Sequence, residues 1–133
     1  MSVFSDSPHA VRFGRAAPTL PVADIDRALA FYVGVLGFAK TFENGAPVGF
    51  VILRKDAAEL HLSLDRTHKP DPRNLAHLLV DDAAGLYAHL QQASTRIIKA
   101  LRDADYGLRG FVFADPDGNR IDVGQRLPGK SGA

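Results

Sequence analysis

The chain has no cysteine, no tryptophan and a single methionine, and its formal net charge is only +1 over 133 residues. Without cysteine there can be no disulfide, no thiolate nucleophile and no thiolate metal site. A near-neutral balance argues against a nucleic-acid binder, which works by neutralising phosphate. No apolar run approaches the roughly 20 residues needed to span a membrane, so neither nucleic acid nor membrane is expected as a partner. Met1 to Ser7 has no basic cluster and no apolar core, so no signal peptide is read there and a cytoplasmic location is expected. A Gly-rich phosphate loop and a nucleophile elbow are also missing. The length suits one compact unit and not two independent ones.

What is present is an internal repeat. Val22-Ala23-Asp24 and Val80-Asp81-Asp82 each end an apolar strand on an Asp that can cap the helix that follows. Aligning Val22 with Val80 matches Ala28 to Leu86, Leu29 to Tyr87 and Tyr32 to Leu90, one buried stripe in each helix. Leading strands are read over Ala16 to Val22 and Asn74 to Val80. Three strand-like runs follow each helix: Phe38 to Glu43, Val48 to Arg54 and Glu59 to Leu64, then Arg96 to Leu101, Gly110 to Asp115 and Arg120 to Gln125. Each half is therefore βαβββ. The predicted organisation is an N-terminal arm over 1–14, a single domain over 15–126 with modules of about 15–65 and 74–126, and a flexible tail over 127–133. The link from Arg66 to Arg73 contains Pro70 and Pro72 and reads as a loop.

The last two strands flank Asp115-Pro116-Asp117-Gly118-Asn119. Pro116 presets φ at the first corner of a turn and Gly118 can close it with a left-handed backbone. Alternation then sorts the strand side chains into faces. Leu60, Leu62 and Leu64 oppose Glu59, His61 and Ser63. Ala76, Leu78 and Val80 oppose Leu75, His77 and Leu79, and Ile121 and Val123 oppose Arg120 and Asp122. The leucine-rich faces belong under the helices. The mixed faces would then surround a cleft for a polar or amphipathic ligand.

The DPDGN turn, the Asp-led helix starts and Leu36-Gly37-Phe38 together resemble the vicinal-oxygen-chelate superfamily, which includes glyoxalase I, extradiol dioxygenases and bleomycin-resistance proteins. The resemblance spans about Ala16 to Gln125. It implies an α+β fold in which two βαβββ modules form an open, curved eight-stranded barrel. In the metal-dependent members four cleft-facing side chains hold one divalent ion. Those positions fall here on Ala17, His61, Leu75 and Asp122, of which only His61 and Asp122 could ligate. No metal and no cofactor are therefore expected, since catalytic sites usually draw on three or more protein ligands. An alternative retains a metal-dependent lyase, isomerase or dioxygenase with an altered site, for instance one built from His61, His77 and Asp122.

The bleomycin-resistance branch is the nearer resemblance. It rests on Ala17-Pro18-Thr19-Leu20, on Asn74 to Val80 with Leu86-Tyr87-Ala88, and on Tyr106-Gly107-Leu108-Arg109-Gly110-Phe111. In that branch a proline sends an N-terminal arm onto a partner subunit, and drugs are held between subunits. The implied protein is a non-catalytic homodimer that sequesters a small amphipathic molecule or antibiotic. Phe42, His61, His77, Tyr106 and Arg109 are expected to line one pocket, with Asp122 at its floor holding His61 or meeting a cationic group. Arg109 and Arg120 near the cleft imply a weaker preference for polycations than in the acidic drug binders. His9, His68 and His89 read as solvated, Tyr32 and Tyr87 as packing residues, and Phe111 and Phe113 as core or cleft wall.

Overall fold

Each half of the chain forms one strand, one helix and three further strands. The first half comprises β1 (Thr19–Val22), α1 (Ile25–Tyr32), β2 (Ala39–Gly45), β3 (Val48–Lys55) and β4 (Ala58–Leu64). The second comprises β5 (Asn74–Leu79), α2 (Ala83–Gln92), β6 (Arg96–Asp103), β7 (Leu108–Ala114) and β8 (Arg120–Arg126). The structure, a computed structural model, describes residues 10–104 and 107–128. No helix among the described residues is long and apolar enough to cross a membrane.

The modules make two four-stranded sheets with matching orders, β1-β4-β3-β2 and β5-β8-β7-β6. Each sheet is mixed: the first strand lies parallel to the last strand of its own module, and the other pairs are antiparallel. The sheets do not close on each other, which is the open α+β arrangement expected. The repeat extends to register. Thr19 stands opposite His61 in the first sheet, and its counterpart His77 stands opposite Asp122 in the second.

Both helices start as read. Asp24 has an extended backbone and its carboxylate accepts from Arg27 N at 3.0 Å; Asp82 accepts from Gly85 N at 2.9 Å. The matched stripe is buried at Ala28, Tyr32 and Leu90. Leu20, Val22, Val51, Leu53, Leu60 and Leu62 are buried in the first module, and Phe111, Phe113, Ile121 and Val123 in the second. Phe111 and Phe113 are therefore core. Phe111 meets Tyr87 of α2 at 5.1 Å between ring centroids, and Phe113 meets Phe31 of α1 at 5.9 Å, so the first module's helix packs onto the second module's sheet.

The DPDGN turn fastens this junction. Gly118 takes φ +80°, and Asp115 N donates to Asn119 O at 2.9 Å. Asp117 Oδ1 then accepts from Ala23 N at 2.9 Å and from Arg27 Nη2 at 2.6 Å, while Asn119 Nδ2 donates to Pro21 O at 2.8 Å. The turn that marks the family resemblance is thus a tie between modules.

Most strand ends shift by one or two residues from the reading, and two shifts have a clear physical reason or consequence. The first strand begins at Thr19, not Ala16: Pro18 has no N–H to give a ladder, although its carbonyl accepts from His61 N at 2.9 Å. At the other end β8 runs to Arg126, and Leu127, assigned to the tail, donates its N–H to Gly107 O at 2.9 Å. Residues 1–9 of the arm, His9 included, and 129–133 of the tail lie outside the described residues.

Candidate functional site

The helices cover one face of each sheet, and the opposite faces carry most of the candidate residues in two clusters. On the first sheet, register places Phe42 opposite Ile52, Ile52 opposite His61, and His61 opposite Thr19. Phe50 links the aromatic members. Its ring lies 6.3 Å from Phe42 and 5.3 Å from His61, edge to face in both cases. Phe42 remains 50% exposed, so this surface offers flat apolar area to a ligand. His61 Nε2 donates to Glu59 Oε2 at 2.7 Å, and Arg54 and Arg15 approach Glu59 at 3.2 and 3.9 Å. The hydrogen bond from His61, reinforced by Arg54 and Arg15, holds the Glu59 carboxyl below its ordinary range.

On the second sheet His77 Nδ1 donates to Asp122 Oδ2 at 2.8 Å. In the neutral imidazole this leaves Nε2 as an acceptor. The ring sits over Gly124, where a Cβ would come within 3.2 Å of His77 Cε1 and 2.8 Å of Leu108 Cδ2. Glycine at this position makes the room that both side chains use. Beside the pair runs a groove of about 220 Å³ lined by Asn74, Lys99, Arg102, Leu108, Gly110 and Asp122 among others. His77 also borders a groove of about 300 Å³ with Pro18, Glu59 and Leu79. A carboxylate-oriented imidazole of this kind can fix a hydrogen-bonding ligand or accept a proton from one.

Several expected placements change. Asp122 pairs with His77 and not with His61, whose partner is Glu59; two residues along a strand, Glu59 and His61 share a face and meet directly. Arg109 does not join Asp122. It is two residues from Phe111, faces the helix side, and forms an ion pair with Asp103 at 2.7 Å. That carboxylate, with Asp82 at the start of α2 adding, raises the Arg109 pKa further. Tyr106 lies outside the described residues. His89 is exposed as read, but its Nε2 bonds Val35 O at 2.7 Å and so bridges the modules; His68 is half-buried and not solvated. Phe50, Lys99 and Arg102 were missed. The alternation Phe50, Ile52, Arg54 against Val51 and Leu53 carries the signal for the first.

The superfamily's metal does not fit these residues. Ala17 and Leu75 offer no ligand atom, and His61 and Asp122 are each engaged by another side chain. Among the described residues no three His, Cys, Asp or Glu side chains gather as a metal site would require, so His61, His77 and Asp122 do not form the rearranged one.

Residues 9–123 match the family model described as the Glyoxalase/Bleomycin resistance protein/Dioxygenase superfamily. No curated protein gives a significant match. Among solved structures, a bleomycin resistance determinant encoded on the transposon Tn5 superposes with a TM-score of 0.74 at 26% identity, covering 86% of this chain and 98% of that one. A bleomycin-binding protein complexed with bleomycin gives 0.71 at 25% identity over 86% and 99% of the two chains. TnmS3, an antibiotic binding protein from Streptomyces sp. CB03234, gives 0.71 at 26% identity over 88% and 98%. With the repeat, the sheet orders and the family model in agreement, the chain belongs to the glyoxalase/bleomycin resistance protein/dioxygenase superfamily.

Proposed function

We propose that the protein binds and sequesters a small amphipathic molecule, an antibiotic being the leading candidate, without transforming it. The carrying observation is the pair of uncovered sheet faces: one presents the Phe42–Phe50–His61 surface, the other the His77–Asp122 pair and its groove. Relatives of this fold at similar identity include a bleomycin-binding protein and an antibiotic binding protein. At about 220 and 300 Å³, the groove bordered by Asp122 and the one bordered by His77 fall below or at the lower limit of drug-sized pockets, about 300–1,000 Å³. A cleft shared between two subunits supplies the missing enclosure. In that assembly the aromatic face of one protomer stands across the ligand from the His77 face of its partner, with the N-terminal arm crossing between them.

The test is a thermal-shift screen of antibiotics and aromatic metabolites, followed by calorimetry on the hits. A ligand that binds only the folded state raises the melting temperature in proportion to the logarithm of its concentration. Phe42→Ala and Tyr106→Ala should each weaken binding by about 1–3 kcal/mol if they stack on it. Stoichiometric divalent metal in protein purified without chelator, together with turnover of a screened compound, would overturn sequestration in favour of enzymatic chemistry.

A further inference from the structure

We infer that the open face of the second sheet is an anion-binding wall, which takes the carboxylate, sulfonate or phosphate group of an amphipathic ligand. The inference rests on the binding role just proposed and names the class of ligand. Register fixes which side chains share this face. Arg120, Asp122, Gly124 and Arg126 alternate on it along β8, opposite Ala114, Val112, Gly110 and Leu108 of β7. Lys99 and Arg102 of β6 pair with Val112 and Gly110 and so stand on the same side. Arg96, paired with Ala114, joins them, so five cations share the face with one carboxylate, and that carboxylate is occupied by His77. Among the described residues none of the five forms an ion pair.

The contrast with the rest of the molecule gives this its weight. The chain as a whole is nearly neutral; elsewhere Arg15, Arg27, Lys40, Arg54, Arg73 and Arg109 meet a carboxylate, while Arg12, Lys55, Arg66 and Lys69 form no ion pair among the described residues. On the first sheet's open face Arg54 and Arg15 both pair with Glu59. Five of the nine described cations outside any ion pair thus stand on this one face, where a concavity also lies. Lys99 and Arg102 line the 220 Å³ groove together with Asn74, Leu108, Gly110 and Asp122, whose carboxylate is engaged by His77. That volume suits a head group and not a whole drug, and the apolar remainder of the ligand would lie against Leu108 and an opposing aromatic surface. A guanidinium and an ammonium around one concavity are the usual means of holding an oxyanion. A polycation would meet repulsion here.

The probes are 8-anilinonaphthalene-1-sulfonate and N-phenyl-1-naphthylamine, which share their rings and differ by the sulfonate. Fluorescence titration of the full-length protein should show the sulfonate binding at least about tenfold more tightly, as expected for a hydrogen bond to a charged group. Lys99→Gln with Arg102→Gln should bring it down to the affinity of the neutral dye and leave the neutral dye unchanged. Unaltered melting temperature would establish that the doubly substituted protein is folded. Equal affinity for the two dyes overturns the anion wall while leaving a binding protein. A preference that survives the double substitution overturns it as well. Tighter binding of bleomycin than of the sulfonate, or of a short duplex oligonucleotide, overturns it in favour of a polycation or nucleic-acid surface. If neither dye binds and the ligand screen is also blank, both readings fall.

Discussion

At the scale of single residues, Asp115 shows how a buried carboxylate is tolerated. It accepts from Asp117 N, Asn119 N, Asn119 Nδ2 and the Tyr32 hydroxyl, the last at 2.7 Å. Burial nevertheless pushes its pKa above the ordinary carboxylate value. Tyr32 responds in the same direction: burial first, then the nearby Asp115 charge, keep its phenol neutral to well above pH 10. Both groups therefore hold their protons more tightly when folded. Tyr32's contribution is fully present below the unfolded phenol's pKa near 10 and is lost as pH rises through the folded value. Asp115's is fully present below the carboxylate range and is lost as pH rises out of it. Asp71 works the other way. Arg73 hydrogen bonds bring it down to about 2, so its contribution exists above the unfolded pKa and fades in acid. Tyr32→Phe should keep the ring packing against Phe31 and Phe38 but remove one donor to a buried carboxylate, at a cost of about 1.5–3 kcal/mol. It should also flatten the loss of stability above pH 10, read from urea midpoints across pH. An alkaline limb as steep as the parent's would count against this assignment. The sequence announced Tyr32 as a packing residue from its stripe. Its partner is more than eighty residues away, and no local pattern could reveal it.

At the scale of elements, local chemistry was nearly sufficient. Asp24 and Asp82 begin the helices as their position predicts, and strand alternation correctly separated Leu60 and Leu62 from Glu59, His61 and Ser63. What alternation could not supply was pairing across the sheet. Arg109 was expected in the cleft because of its place in a family-like stretch, yet two residues before Phe111 it must face the helix. The DPDGN turn was legible as a turn but not as an inter-module tie, since Asp117 accepts from Ala23 and Arg27 and Asn119 donates to Pro21, all far away in sequence. Asp117→Ala leaves the Ala23 N–H without its partner and should cost about 1–3 kcal/mol. Arg27→Ala should cost less than about 1 kcal/mol, because half of that side chain is in solvent. Gly118→Ala is strained twice. It requires φ +80°, and its Cβ would sit 2.8 Å from Pro70. About 1–2 kcal/mol should be lost. Chemical denaturation ranks the three, and a larger loss in Arg27→Ala than in Asp117→Ala would mean that the ion pair, not the backbone bond, fastens the modules.

At the scale of the whole molecule, the open sheet faces and the arm raise one question, which is what covers them. Phe13 is 90% exposed, Val11 63%, and Leu79, next to the His77 groove, 54%. A lone exposed phenylalanine is ordinary, but here it lies on a segment with no helix or strand that leads into Pro18 and β1. Two uncovered four-stranded faces and a projecting apolar arm fit isologous pairing, in which each arm lies on the other subunit and two equivalent clefts form. The sequence pointed to this only through Pro18, which resembles the family's arm-redirecting proline, and through the apolar Val11 and Phe13 before it, because burial in an assembly leaves no periodic trace in one chain. Burying a phenylalanine side chain is worth about 1.5–3 kcal/mol, and a symmetric dimer buries it twice. Phe13→Asp should therefore raise the dimer dissociation constant by roughly two to four orders of magnitude. Light scattering at micromolar concentration should show a dimer for the parent and a monomer for the variant, with far-UV circular dichroism unchanged because the arm adds nothing to either protomer's core. Ligand affinity should fall together with dimerisation if the cleft is shared between subunits. A monomeric parent would refute the assembly, and a monomeric variant that retains full affinity would place the binding site within one protomer.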